Sequence, residues 1–378
     1  MNKVLIDFHH TDLYRSFIML FEGRLGWEVY RPGGQEWFDK GYYSHPIEAE
    51  GRANLTQPGY HGKFPPDNYL SQTNSIFRWM SLEEVQDLDL IVCSIDRVEE
   101  GFHKLKNDLG LKCKIARYTG NPYENFDFGR FDFMLCANLR YFHEHVESGR
   151  KPGMLFFPEF EEALHKYTEP LVKEENDIGC PYPIMRTFIN FIYHHPEHAN
   201  HQNWKRYAGY LERISGTPIM HGLGTPPPGM ETGLDIILDK EFDRMGKPEL
   251  KDRSTWPTRF TSRGEPKDEI EVAELIKASH ILFNQKNYDG YGFVPFKAFS
   301  IGRPIICEHG DYNNLTAGKI IEHMKTGIHI SGDDGQDFNN IQEFLRPEKI
   351  LEACKEVRKR FDEVVSFENQ AQELVKFV

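Results

Sequence analysis

The chain has 378 residues, more than one ordinary core absorbs and enough for two domains that each bury an interior. With 58 acidic against 45 basic residues it carries a formal net charge of −13, which excludes nonspecific attraction of the whole molecule to nucleic acid or anionic membrane but permits a local basic groove. No run approaches the roughly 18 apolar residues of a membrane helix, MNKVLIDF holds no signal-peptide core, and the six cysteines lie without CxxC spacing. The expectation is a cytoplasmic protein with buried thiols and neither a disulfide framework nor a zinc site.

In chain order, KVLIDF (3–8) reads as a buried strand ending in His9 and His10. Leu13, Phe17, Leu20, Phe21 and Leu25 fall at helical spacing, Gly26 closes that helix, and residues 27–30 form the next strand. Residues 31–75 dissolve into glycine, proline and aromatics, among them Trp37, Tyr42 and Tyr60. A segment this long and this aromatic is either a functional insertion or a local mini-core over the sheet. A helix near 76–85 then precedes strands at 88–93, 113–118, 133–136 and 154–157, with helices at 98–109 and 141–149 between them. This alternation predicts a parallel, doubly wound sheet.

The acidic stretch 158–182, bracketed by prolines, reads as a linker. A second alternation follows, with strands at 187–193, 218–220, 256–263, 279–283, 305–307 and 327–330 and helices at 202–214, 268–278 and 316–324. Two closing helices run over 347–362 and 367–377, and the acidic doublets Glu161-Glu162 and Asp333-Asp334 read as solvated faces. There is no GxxxxGK[ST], GxGxxG after the first strand, HExxH or GxSxG, and Asp87-Leu88-Asp89 stands at a strand start, where a turn suits it better than a metal.

The segment 281–306, ILFNQKNYDGYGFVPFKAFSIGRPII, concentrates the chemistry. It reads as strand, glycine-rich loop, short helix opening near Pro295 and closing at Gly302, then strand. Glycines around Tyr291 permit close backbone approach, and the N-terminus of the following helix favours an anion, best a diphosphate.

Asp289, Gly290-Tyr291-Gly292 and AFSIGRP (298–304) resemble the donor-site signature of the retaining, family-4-like glycosyltransferases of GT-B fold. The resemblance implies an α/β chain of two doubly wound Rossmann-like domains facing a cleft. Residues 1–178 would be the acceptor side, 179–358 the nucleotide-sugar side, and 359–378 would cross back to the first domain. The implied activity is transfer of a hexosyl or pentosyl group from a nucleotide-diphosphate sugar to an acceptor hydroxyl, retaining and metal-independent, with no cofactor. No side chain acts as nucleophile in that family, and the leaving diphosphate serves as base.

Asp289 takes the place of the acid that holds hydroxyls of the transferred sugar, and Asp289 and His10 are the catalytic candidates. Donor candidates are Gly290, Tyr291, Gly292, Phe293, Lys297, Arg186, Gly222, Gly224 and Arg263. Acceptor candidates are His9, Trp37, Tyr42 and Tyr60, although His9 and His10 also read as helix caps or as side chains packed beneath the helix. Lys297 stands where the family's second acidic residue would be, and His194-His195-Pro196-Glu197 stands where its Arg/Lys pair would be. Lys297 therefore either grips the diphosphate in place of that pair or points to solvent.

The expected partners are a nucleotide sugar and an acceptor that is a glycan, a small molecule or a modified DNA base, with no integral membrane association. One alternative is a catalytically silent nucleotide-sugar-binding or scaffold protein. Another keeps the enzyme but takes a hydroxylated base in DNA, flipped into the aromatic insertion, against which the negative charge argues.

Overall fold

The computed structural model describes residues 1–6, 11–33, 35–43, 78–94, 96–120, 126–172, 186–190, 206–207, 209–211, 213–214, 219–223, 259–262, 269–284, 292–308 and 316–378. Two units result, one of Met1–Phe160 with Val365–Val378 and one of Glu161–Val364. The boundaries expected from the sequence fell at 178/179 and 358/359.

The apolar runs of the first unit form β1 (Lys3–Ile6), β2 (Glu28–Pro32), β3 (Arg78–Met80), β4 (Leu90–Cys93), β5 (Lys114–Thr119), β6 (Phe133–Cys136) and β7 (Gly153–Leu155). They pair in parallel in the order β3-β2-β1-β4-β5-β6-β7. Every residue of β4 and β6 is buried, as strands covered on both faces require. Around the sheet run α1 (Thr11–Ile18), α2 (Gln35–Asp39), α3 (Asp96–Leu109) and the short α4 (Leu139–Tyr141).

Two readings change here. The expected first helix is α1 followed by a wider π turn over Met19–Arg24. The helix expected near 76–85 is instead β3, paired with β2 through Tyr30↔Arg78 and Pro32↔Met80. Pairing to a sheet edge overrides the local helical spacing.

The second unit has β8 (Arg186–Asn190), β9 (Ile219–Leu223), β10 (Arg259–Ser262), β11 (Ile281–Phe283), β12 (Ile305–Glu308) and β13 (Gly327–Ile330), all parallel, in the order β10-β9-β8-β11-β12-β13. Its helices are α5 (Glu269–Lys277), α6 (Phe293–Ile301), α7 (Asp334–Phe344) and α8 (Pro347–Val364). Both sheets therefore repeat one doubly wound plan, with the first strand of the unit inside and the order reversing beside it.

The doublet Asp333-Asp334, read as a solvated face, starts α7. Asp333 caps the helix by accepting from the Gln336 amide at 2.8 Å. Asp337, fully buried, accepts from the amide and hydroxyl of Ser331 and the amide of Gly332.

The chain's last helix, α9 (Phe367–Val375), belongs to the first unit. Gln370 accepts from the Phe157 amide at 2.6 Å and donates to its carbonyl at 2.9 Å, and Phe377 stacks on Phe133.

The expected linker is also different in its first part, since residues 161–172 are fastened to the second unit. The Ser300 hydroxyl donates to the His165 carbonyl, Thr168 bonds Ile301, and His280 Nε2 lies 2.7 Å from the Leu171 carbonyl. Arg303, fully buried, donates to the carbonyls of Ser279, Thr168, Ile301 and Lys277. That fork satisfies the carbonyl-rich ends of α5 and α6, where a cation is favoured.

Candidate functional site

Doubly wound sheets bind ligands beyond the carboxyl ends of their strands, where strand order reverses. In the second unit that point lies between β8 and β11. The chain leaves β11 through Asn284 and, after residues 285–291, enters α6. The topology thus places the end of β11 and the start of α6 at the carboxyl edge of the sheet.

Gly292 caps α6 at φ +75°, in the left-handed region that favours glycine, and brings no side-chain cap and no acidic residue follows in the first turn. Pro295 is the third helical residue, where its missing N–H costs no intrahelical bond. Gly302 closes the helix at φ +88°, with its own amide on Phe299 and the Arg303 amide on Ala298, a Schellman-type stop. A Cβ on Gly302 would sit 2.6 Å from the Tyr167 ring.

From Pro295 to Ile301 the helix is buried at every position, and Lys297 is its sole charge. Lys297 is 4% exposed. Its ammonium is ion-paired with Oε1 of Glu269, the first residue of α5, and lies 6.0 Å from the centre of the Phe293 ring. His165, fully buried, brings Nε2 to 3.0 Å from the same carboxylate oxygen while Nδ1 lies 2.8 Å from the Glu161 carbonyl oxygen.

Burial alone would raise the Glu269 carboxyl, but the Lys297 ammonium and the His165 ring outweigh it and hold the group well below the usual carboxylate range. A carboxylate at the start of α5 is favoured by that helix dipole. A lysine close to the start of α6 is opposed by its own, so the pair answers both.

The expectations for Lys297 are revised accordingly. It neither points to solvent nor stands as an uncommitted cation. Glu269 and His165 were missed in the sequence; the one signal for them was a lone lysine in an otherwise apolar helix, which demands a counter-charge.

Arg186 opens β8, so at about 3.3 Å per residue it stands roughly 13 Å from the carboxyl end at Asn190. It is on the amino edge and leaves the donor set. Gly222 is the penultimate residue of β9 and registers with Ile189 and Ser262, close to the ligand edge.

Trp37 and Tyr42 are core residues and not an acceptor platform. Trp37 is fully buried and donates from Nε1 to the Met80 carbonyl at 2.8 Å. Tyr42 packs in the same cluster with Phe102 and Leu105, and its hydroxyl reaches Asp108 at 3.2 Å. The mini-core reading holds for these two. Asp289, Gly290, Tyr291, His9, His10, Tyr60, Gly224 and Arg263 lie outside the described residues.

Among the described residues no group of three or more His, Cys, Asp or Glu side chains is arranged to hold a metal ion, and no helix is long and apolar enough to cross a membrane.

No family model and no curated protein matches the chain. Solved structures do. Anabaena HepE in complex with UDP is similar at a TM-score of 0.62 and 12% identity, covering 100% of both chains. The lipopolysaccharide outer core galactosyltransferase WaaB is similar at 0.62 and 10%, again over 100% of both. Sucrose-phosphate synthase from Thermosynechococcus elongatus is similar at 0.61 and 13%, covering 100% of this chain and 98% of that one. These neighbours are GT-B glycosyltransferases, and the likeness shows the fold: α/β, with two Rossmann-like units.

Proposed function

We propose that the protein is a glycosyltransferase that takes a sugar from a nucleotide diphosphate and attaches it to an acceptor hydroxyl. The observation that supports this reading is that Gly292, the last residue of the Asp289–Gly292 signature in the sequence, caps α6, the helix that follows β11 beside the reversal point of the second sheet. The fold neighbours add support, since HepE is in complex with UDP and WaaB is a galactosyltransferase.

In the proposed reaction the bond from the anomeric carbon to the β-phosphate oxygen breaks and a bond to the acceptor oxygen forms. The acceptor proton passes to the departing diphosphate. Charge builds on that diphosphate, and the amide groups and dipole at the start of α6 are suited to stabilise it. Asp289 holds the transferred sugar. By the family resemblance the outcome is retention, without a metal or cofactor.

The test is a panel of nucleotide sugars offered to the purified protein, with release of nucleoside diphosphate as readout. Turnover of at least one donor is expected, and Asp289→Asn should lower it more than it lowers nucleotide binding. A second reading, a silent nucleotide-sugar-binding protein, draws on the pairing of Lys297 with Glu269. Binding of a donor with neither hydrolysis nor transfer would select it.

A further inference from the structure

We propose that Glu269 and His165 are positioning residues that act through Lys297 and set how much positive charge the start of α6 offers to the donor's diphosphate. This rests on the glycosyltransferase reading above. Three observations carry it.

The first is place. Glu269 begins α5, which follows β10, and Lys297 lies in the second turn of α6, which follows β11. Both helices start at the carboxyl edge of one parallel sheet. The ammonium lies 6.0 Å from the ring centre of Phe293, the first residue of α6 after the glycine cap. It is therefore close to the helix end that favours an anion.

The second is stoichiometry. One carboxylate oxygen, Oε1 of Glu269, receives both Lys297 and His165. A buried carboxylate stripped of its partner is strongly penalised. With His165 Nε2 at 3.0 Å from the same oxygen, a shift of Lys297 toward a bound anion still leaves Glu269 with a ring nitrogen beside it.

The third is anchoring. His165 is fixed from both sides, by its ring on the Glu161 carbonyl and by its own carbonyl on the Ser300 hydroxyl. Arg358 in turn donates to the Ser300 carbonyl and hydroxyl. Among the described residues, the charges around the cluster are thus Glu269 from α5, Lys297 from α6 and, through Ser300, Arg358 from α8, with Glu161 contributing its carbonyl oxygen. A well-fixed counter-ion holds the ammonium in one place.

The inference gives Glu269 an unusual sign. A carboxylate with a merely structural role stabilises the site, so its loss weakens binding or leaves it unchanged. A counter-ion that damps Lys297 does the opposite, because its loss exposes the full charge.

The experiment measures affinity for the nucleoside diphosphate that binds the wild-type protein, by calorimetry over a range of salt, in Glu269→Gln, Lys297→Gln and the double variant. Glu269→Gln keeps the shape of the side chain. It should bind the nucleoside diphosphate about tenfold more tightly at low salt, with a steeper salt dependence, as expected for one unneutralised charge near a phosphate. Lys297→Gln should bind about tenfold more weakly, and the double variant should match it.

Equal or weaker binding by Glu269→Gln overturns the inference while leaving the glycosyltransferase reading intact. If Glu269→Gln does not fold, Lys297→Gln decides alone, and unchanged affinity there also overturns it. A wild-type protein that binds no nucleoside diphosphate overturns both.

Discussion

The ammonium of Lys297, the sole charge on α6, is held by the carboxylate of Glu269 at the start of α5. Two charges at about one-twentieth exposure cannot be separated cheaply. Breaking a buried pair by removing one partner costs about 3–5 kcal/mol, whereas an apolar pair of similar volume is close to neutral. Lys297→Met alone should therefore lower unfolding free energy by that order in urea titrations, and Lys297→Met with Glu269→Leu should recover most of it. A single variant as stable as wild type would mean the pair is not formed in solution.

The same pair fixes a pH dependence. The Glu269 carboxyl is held below its unfolded value, near 4.3 in model peptides, so its contribution to stability is present above that value and lost as pH falls through the folded one. The stability gap between wild type and Glu269→Gln should be constant at neutral pH and shrink as pH drops below about 4. A gap that widens on acidification would reverse the assignment.

Gly302 is constrained twice, by its φ of +88° and by the Tyr167 ring that a Cβ would meet at 2.6 Å. Gly302→Ala should cost at least about 2 kcal/mol, combining left-handed strain with displacement of the ring. A melting temperature unchanged from wild type would contradict the packing of residues 161–172 on α6.

Trp37 was an acceptor candidate and is a core side chain bonded to the Met80 carbonyl. Trp37→Ala should lose about 3–5 kcal/mol of stability, and turnover per folded molecule should stay unchanged. A raised acceptor KM at undiminished stability would restore it to the site.

The thiols give a further check. Burial pushes Cys113 up to about 11 and Cys354 up to about 12, and Cys93, Cys136 and Cys307 are buried as well. In a Cys180→Ser background the native protein should react with a thiol reagent only on the timescale of unfolding. Rapid labelling of any of the five would show that its surroundings are open.

Much of this architecture is legible in the chain itself. Short apolar runs such as LIVC and FMLC cannot face water on either side, so they announce covered parallel strands. The pattern ending AFSIG announces a helix stopped by glycine, which Gly302 does. What was not legible depends on contacts between distant residues. Nothing local distinguishes Trp37 and Tyr42 from aromatic residues that stack on sugars; the Met80 carbonyl and Asp108 decide it.

Similarly, Asp333-Asp334 reads as a solvated face, and both residues are exposed, but nothing local marks Asp333 as the cap of α7. The two groups on the Glu269 carboxylate, Lys297 and His165, come from separate elements, one of them a segment that composition alone marks as linker. Charge burial required a counter-ion but did not say which of many acidic residues would supply it.

The central claim is tested most directly by thermal melting of the protein against a panel of nucleoside diphosphates, with a Gly292→Val variant run beside the wild type. At least one diphosphate should raise the wild-type melting temperature in a concentration-dependent way and leave the variant, strained at the cap of α6, unshifted. Melting curves unmoved by every nucleoside diphosphate at millimolar concentration, or a shift of equal size in both proteins, would contradict a donor site at the start of α6.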